Sequence, residues 1–599
     1  MALFDTIRAG ASGAADTAYT IDRSLRFNPN DTTYLERTYS SAGNRRTFTL
    51  SFWLKKAKNG VNMDFFTPYR GGDGGNESRI QIKEQDVLRI YDSGGGTGYP
   101  VVSTTEKLRD VGAWYHVVFA IDTTQATDSN RIKIYVNGVQ QTIDTSGFHS
   151  WGNQNQQLGF NNNHYHRIGA YGSVANPADA SNVIVRGYLT EFYSIDGQQL
   201  TPATFAETDA TTGQWNPKNS VDVISAVTFG TNGFYLNFSD NSGTTATTLG
   251  KDYSGNSNNF TPYNFSVAAG AGNDSVSDSP TNNWATLNPL HWNVLQGAGG
   301  TDHGDDLTQG NLRFVGPSSA TSPYSRQTAS TIAVSSGAWY FEGTVEAMNN
   351  GVEIGFSEVD AIDSNGIYTG TWGFNPYDQG KLIAGTQTSY GAQASADDVL
   401  GFAFDLDNNT MELFINNSSQ GQVTSLGISG KTVIVSVKLS FLTVKYTFNF
   451  GQQGFAYTPP TGHKALCSAN LPDPSILLPN KHFETVLWTG NSASGGSGTT
   501  QTISGLNFGP DWLWIKRRDG TSVHSLNDTV RGVNKQLNSE DTAAETSYTG
   551  RIGTFNSDGF ILGADGDVNY NGATYVGWNW NAGDTDGKTY TVTVVDDSG

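Results

Sequence analysis

Thiol chemistry is nearly absent from this chain. Its one cysteine, Cys467, excludes internal disulfides and any metal centre built from several cysteines. Positive charge is also scarce: 36 Lys and Arg stand against 56 Asp and Glu, a net charge of -20. A surface this acidic repels phosphate backbones, so nucleic-acid binding is not expected. The densest basic string, Lys516-Arg517-Arg518, runs into Asp519-Gly520 and reads as a strand end entering a hairpin. Long apolar runs are missing as well. Nothing approaches the ~18 residues of a membrane span, and membrane insertion is not expected. The first twenty residues carry Asp5, Arg8 and Asp16 around no apolar core, which predicts no secretory leader. Without disulfides or a leader, the expectation is folding in a reducing cytoplasm.

What is present favours strands. The chain holds 70 Gly, 31 Phe, 26 Tyr and 13 Trp, but only 4 Met, and 15% of residues are charged. Turn formers and aromatics therefore outweigh helix formers. At 599 residues the chain exceeds one sandwich, and ~150 residues per domain predicts about four modules. The predicted fold class is all-β, with several jelly-roll β-sandwich domains in series.

Periodicity places the strands. Phe48, Leu50, Phe52 and Leu54 alternate onto one face. Trp114 to Ile121 is apolar on both faces, as a central strand of a two-layer sandwich would be. Arg131 to Val136 alternates into Asn137-Gly138, a strong hairpin signal, with Val139 to Ile143 as the return strand. Tyr188 to Tyr193 is expected to complete this sheet. Thr201-Pro202 reads as an N-cap followed by Pro at the first position of one helical turn. Further on, Gly401 and Ala403 alternate with Leu400, Phe402 and Phe404, so one face admits a close neighbour while the other fills a core.

Several of these strings resemble known families. Trp114-Tyr115-His116-Val117-Val118 followed by Tyr135-Val136-Asn137-Gly138 resembles the laminin-G/concanavalin-like jelly roll. Trp339 to Val345, Glu353 to Ser357, Asp397 to Asn417 and Phe448 to Gly462 resemble, in that order, the SPRY family, whose members are recognition modules. Gly505 to Arg518, Asp528 to Lys535, Phe555 to Phe560 and Thr574 to Gly583 are similar to C-terminal modules of tailed-bacteriophage structural proteins of marine type. The opening Met1 to Ala14 and the stretch Asp278 to Leu290 resemble the same group. The expected organisation is an N-terminal docking segment (1–23), a laminin-G/concanavalin-like jelly roll (24–210), a bridging β segment (211–310), a SPRY-like sandwich (311–470) and a C-terminal phage β-module (471–599). A final strand is expected over Thr589 to Val595, and related chains often continue past this end.

Candidate chemistry is thin. Glycoside hydrolysis needs two carboxylates flanking the bond, and the nearest string, Glu358-Val359-Asp360-Ala361-Ile362-Asp363, reads as a solvated loop. Gly583 to Thr589 has too few residues between its glycines, and too many acids, to cradle phosphate. His164 and His166 would project to one side like a metal pair, but no third ligand accompanies them. Asp407, Asp565 and Asp567 sit in turn strings whose oxygens suit calcium, and Asx turns account for them equally. No catalytic residue and no metal ligand is assigned, and calcium is the one cofactor left open. Sugar recognition needs aromatic faces beside amide groups. Trp151, Asn153, Asn155, Asn161 and Tyr165 offer that mixture, as do Tyr368, Trp372, Phe374 and Tyr377 between later strands.

What the resemblance implies is a non-enzymatic virion appendage, a tail or head fibre attaching to a host-surface glycan or protein. It would be a homotrimer that docks other virion proteins through residues 1–23 and is made in the bacterial host cytoplasm. The alternatives are a capsid decoration protein without receptor role and a glycan depolymerase.

Overall fold

The computed structural model describes residues 19–69, 78–93, 98–171, 184–210, 212–291, 293–294, 307–316, 326–349, 352–361, 370–439, 444–472, 476, 478–492 and 498–582. The chain divides into two compact units, the second holding the residues from Ser475 onward. The fold is all-β, with several jelly-roll sandwiches.

The first sandwich faces two eight-stranded sheets. One runs in the order Val139–Gln140, Ile132–Val136, Trp114–Asp122, Thr47–Lys56, Gly187–Asp196, Ser24–Phe27 and Ser275–Val276, with Phe234–Leu236 also on Gly187–Asp196. The other runs Ser150–Trp151, Pro100–Lys107, Val87–Asp92, Ser78–Ile82, Met63–Tyr69, Tyr165–Ile168, Tyr34–Thr38 and Thr261–Tyr263. Phe48, Leu50, Phe52 and Leu54 enter the core between them, as their alternation requires. Segment 211–310 contributes short strands to both sheets, Phe234–Leu236 and Ser275–Val276 to one and Thr261–Tyr263 to the other.

Two local expectations are refined here. Tyr188 to Tyr193 belongs to this sheet, as expected, and lies in its middle, between Thr47–Lys56 and Ser24–Phe27. Thr201-Pro202 opens a 3₁₀ turn of three residues, Pro202–Thr204, without a side-chain cap, because Ala206–Thr208 is already a strand. A helix lies instead at Ser220–Ala226, where the Asn219 side chain accepts from the Val221 N–H and caps it. That helix explains why Trp114 to Ile121 is apolar on both faces. Val118, Ala120, Tyr193 and Ile195 point away from the main core and are roofed by Phe205, Val223 and Phe229. The first sandwich has a third layer.

The second sandwich opposes a sheet containing Arg326–Val334, Val433–Leu439, Val352–Glu358 and Trp372–Asn375 to one containing Lys445–Asn449, Ala338–Ala347, Val399–Asp405 and Thr410–Ile415. Leu400, Phe402 and Phe404 fill its core. On the other face a Cβ at Gly401 would lie 2.4 Å from the Tyr340 hydroxyl, so the small residue admits that ring.

A buried ion pair ties segment 211–310 to the first sandwich. Lys55 Nζ, on Thr47–Lys56, donates to Asp278 Oδ2 (2.7 Å), Asn283 Oδ1 (2.7 Å) and the Trp284 carbonyl (2.8 Å). Asp278 Oδ1 accepts from Trp114 Nε1 at 3.0 Å. Burial lowers the ammonium pKa and raises the carboxyl pKa, while mutual attraction and these hydrogen bonds favour the charged forms. Just beyond Asp278, the Ala285 N–H donates to the Leu466 carbonyl of the second sandwich at 2.9 Å.

The second unit pairs Phe483–Thr489, Thr574–Trp580, Trp512–Arg517 and Ser525–Asp528 in one sheet, and Gln501–Ser504, Gly559–Leu562 and Ile552–Asn556 in another. Trp488, Leu513, Ile515, Phe560 and Tyr575 form its core. Arg517 ends one strand of a hairpin, as the basic string suggested. The expected last strand, Thr589 to Val595, lies outside the described residues, as does the string Gly583 to Thr589.

Candidate functional site

At one edge of the first sandwich the hairpin strand changes sheets. Val139 and Gln140 pair with Val136 and Tyr135. Two residues later the chain has crossed: the Thr105 N–H donates to the Thr142 carbonyl at 3.0 Å, and Ile143 bridges Thr104 in the opposite sheet. The crossing parts the sheet edges and opens a cleft of ≈ 300 Å³, whose lining includes Asn130, Lys133, Gln140, Gln141, Thr145 and Trp151. That volume is at the small end of ligand sites, and the mixture of one aromatic wall with a few polar groups is typical of them.

Arg131 positions the aromatic wall. Its Nη1 donates to the Gly152 carbonyl (2.6 Å) and its Nε to the Gln125 carbonyl (2.9 Å), tying Trp151 and Gly152 to the preceding loop. His149 stands edge-on to Trp151 with ring centres 4.8 Å apart, and both its nitrogens are buried without hydrogen-bond partners among the described residues. Gln141 is only 6% exposed; its Nε2 donates to the Val139 carbonyl, and its Oε1 has no donor among the described residues. Val139, 64% exposed, lies on this hairpin, and Phe148, 83% exposed, on the loop that leads to Ser150–Trp151. Ile132 and Ile134 turn toward the inter-sheet core, while Lys133 between them registers with Ala120 on the outward face. The nearby Asp144 carboxylate is turned to its own loop, where Ser146 Oγ and N–H donate to it and hold its pKa below the usual carboxylate value.

The residues expected to bind sugar do not gather in one place. Trp151 lines the cleft. Asn153 is exposed and gives its N–H to the Gly98 carbonyl, and Asn155 occupies a left-handed turn at φ 62°. Asn161 is buried, donating from Nδ2 to the Asn44 carbonyl at 3.0 Å and accepting at its own carbonyl from Asn232. Tyr165 is half-buried, with the Arg167 guanidinium 5.5 Å from its ring. In the second sandwich Trp372 and Phe374 are core side chains, not a ligand surface. Alternation turns them inward, where Trp372 Nε1 donates to the Leu426 carbonyl and Phe374 stacks on Tyr390. Tyr377 is half-buried, and Tyr368 lies outside the described residues.

The metal and acid candidates have structural roles. His166 is fully buried, stacked on Tyr39, with Nδ1 3.0 Å from the His164 carbonyl, and burial pushes its pKa down to about 3. His164 Nε2 accepts from Asn162. Asp407 accepts from the Gly337 N–H, while Asp565 caps the turn Gly566–Asn569 and, with Asp567, pairs with Arg551. Glu358 extends its strand to the end and pairs with Lys431, and Asp363 lies outside the described residues. Among the described residues no cluster of three potential metal ligands occurs.

Sequence reasoning missed two features. The first is Glu191, wholly buried at a bulge in Gly187–Asp196, accepting from Tyr235 (2.7 Å) and Tyr193 (2.8 Å) with Tyr19 at 3.4 Å. Burial raises its pKa to about 7. The second is an aromatic face in the second unit. Register aligns Phe483, Trp580 and Trp512 in one row and Thr485, Trp578 and Trp514 in the next. The ring centres of Trp512 and Trp580 are 4.2 Å apart, those of Trp514 and Trp578 5.5 Å. All four indoles are half-buried and Phe483 is exposed. Its signal was in plain sight: Trp512-Leu513-Trp514 and Trp578-Asn579-Trp580 each place two indoles on one strand face.

The architecture is that of an all-β protein built from several jelly-roll sandwiches. Family models match three stretches: the concanavalin A-like lectin/glucanases superfamily over residues 29–173, the SPRY domain over 338–453, and a domain of unknown function (DUF7483) over 478–599. Among solved structures the chain is similar to the SPRY domain of human HERC1 at 15% identity, covering 27% of this chain and 96% of that one, with a TM-score of 0.22. It is similar to a heptameric SAP-like pentraxin from Limulus polyphemus at 15% identity, covering 31% and 80%, with a TM-score of 0.24. It is also similar to a protein from Bacteroides ovatus ATCC 8483 described as carbohydrate binding, at 16% identity; 41% of this chain and 58% of that chain are covered, and the TM-score is 0.26. No curated protein matches the chain.

Proposed function

We propose that this chain is a non-enzymatic adhesion protein of a bacteriophage virion, a tail or head fibre that attaches to glycan on the host surface. The observation that carries the adhesive part is the edge cleft, where the Trp151 indole meets amides and hydroxyls at the scale of a sugar ring. Supporting it, the matched laminin-G/concanavalin-like and SPRY domains are folds that serve recognition. The phage assignment rests on the sequence strings at Met1 to Ala14, Asp278 to Leu290 and the C-terminal unit. The expected assembly is a homotrimer docked through residues 1–23, in which three weak sites act together and raise avidity without any new contact.

Two measurements test the reading. Purified protein is passed over immobilised host-surface polysaccharide, with Trp151→Ala as control. The intact chain is retained and the variant is not; equal retention of the two, or of neither, counts against the cleft. Gold-labelled antibody against the chain is then imaged on virions. Label on an appendage supports a fibre, label spread over the capsid of a non-adhesive particle supports decoration, and absence from particles removes the phage assignment.

A further inference from the structure

We propose that Lys55 and Asn283 become covalently joined. Lys55 Nζ displaces the Asn283 side-chain nitrogen as ammonia, with Asp278 as the proton carrier, and the resulting isopeptide bond staples segment 211–310 to the first sandwich. Neither the bond nor its test depends on what the chain adheres to.

Strand register brings the reacting groups together. Lys55 stands opposite Trp114 on one side and Tyr188 on the other, so all three side chains leave the same face of the sheet. The chain that follows Ser275–Val276 passes over that face and sets Asp278 Oδ2 and Asn283 Oδ1 each 2.7 Å from Nζ. Asn283 Cγ, the atom to be attacked, is one bond beyond Oδ1, so the nucleophile already stands at contact distance. The amide is held in place: its Nδ2 donates to the Gly112 carbonyl (2.7 Å) and its main-chain N–H to Ser468 Oγ (2.9 Å). Asp278 is held as firmly. Its Oδ1 accepts from Trp114 Nε1 at 3.0 Å and from the Trp284 N–H at 3.2 Å, which leaves Oδ2 for Lys55. The neighbouring Lys56 ammonium is also buried and paired, with Asp86 and the Leu108 carbonyl, but no side-chain amide is among those partners.

An amine attacks an amide only as the free base, and burial supplies that form. The Lys55 and Asp278 side chains are both 0% exposed, and desolvation lowers the ammonium pKa while raising the carboxyl pKa, which draws a proton from Nζ to Oδ2. The freed lone pair adds to Cγ. Asp278 passes its proton to Nδ2, the Cγ–Nδ2 bond breaks, and ammonia departs past the half-buried Asn283. Of the three ammonium protons, one stays on the new amide, one leaves in ammonia and one ends on Asp278. No oxidant or cofactor is consumed. Before ligation the trio is the buried pair described above. Afterwards a bond links residues 228 apart in sequence, restricting the unfolded chain as a long-loop disulfide would, in a protein with one cysteine.

The experiment is mass spectrometry of the purified full chain, intact and after trypsin. The intact mass falls short of the sequence by one ammonia, and digestion yields a branched peptide in which the Lys55 and Asn283 segments are joined. Lys55→Arg and Asn283→Ala each restore the full mass and the two separate peptides. Asn283→Ala keeps the Lys55–Asp278 pair and so folds. Asp278→Asn, which keeps the shape of the proton carrier but not its chemistry, slows linkage in freshly folded chain about a hundredfold. A parent chain of full mass overturns the ligation. Loss of ammonia without a branched peptide, as succinimide formation at an Asn-Gly site leaves, overturns it as well. A branched peptide that persists in Asn283→Ala overturns the assignment of the acceptor, and undiminished linkage in Asp278→Asn overturns the role of the carboxyl.

Discussion

The two sandwiches of the first unit share an architecture and differ in where they keep charge. In the first, three ion pairs are buried: Lys55 with Asp278, Lys56 with Asp86, and Arg26 with Asp274, each side chain between 0% and 6% exposed. In the second, Arg313–Glu346, Lys431–Glu358 and Lys438–Glu353 are roughly a quarter to a third exposed. The difference follows from what each sandwich carries. The first is roofed by later chain, and Asp274 and Asp278 come from that later chain. Their pairing selects one seating of segment 211–310 against the strands that hold Arg26 and Lys55. Buried pairs contribute little net stability but punish the loss of one partner; exposed pairs do neither. The contrast teaches that one fold can use charge as a register device or as a solvated surface, depending on what covers it.

The largest break is Asp278→Ala. It leaves the Lys55 ammonium in the interior with neutral acceptors only and strips Trp114 Nε1 of its partner. A loss of about 3–5 kcal/mol is expected, read as a lowered urea midpoint and faster amide exchange in Thr47–Lys56. The paired change Lys55→Met with Asp278→Leu recovers most of it, which isolates the charge from the packing.

Next comes Glu191, whose carboxyl is raised from 4.5 to about 7 in the fold. Between those values the unfolded chain has released the proton while the folded one keeps it, so stability falls as pH rises from 4.5 to 7. The penalty is complete above pH 7 and amounts to a few kcal/mol. Glu191→Gln is therefore more stable than the parent at pH 8 and equal to it at pH 4, by thermal melting. The neutral buried histidines act oppositely. His116 and His166, both lowered from 6.5 to about 3, stabilise the fold fully above pH 6.5, and that contribution is lost as pH falls toward 3.

In the second sandwich the sensitive element is space rather than charge. Gly401→Ala puts a methyl against the Tyr340 hydroxyl and costs about 1–3 kcal/mol. Lys438→Gln, at an exposed pair, costs under about 1 kcal/mol and less in high salt. A large loss at Lys438 would erase the contrast between the sandwiches.

Much of the fold is legible in the sequence. Alternation of Phe48, Leu50, Phe52 and Leu54, the Asn137-Gly138 hairpin, and the small–large pattern around Gly401 each found its place. These are local signals with a fixed period. The site was less legible. Trp151 was singled out and lines the cleft, but Asn161 shares its polar surroundings in sequence and is buried against Asn44. Trp372 and Phe374 look like binding aromatics and are core. Composition alone cannot separate an aromatic that faces solvent from one that faces the opposite sheet.

What the sequence by itself determined was strand identity, the faces those strands present, and the succession of lectin-like and SPRY modules. Period-two patterning and turn chemistry act over a few residues and need no partner to be read. The tertiary structure alone decided that segment 211–310 supplies strands and buried carboxylates to the first sandwich, that Glu191 lies beneath Tyr19, and that a hairpin crossing between sheets opens a cleft at Trp151. Each of those depends on contacts between residues far apart in the chain, where the energy lies in desolvation and shape, and neither is written in local order.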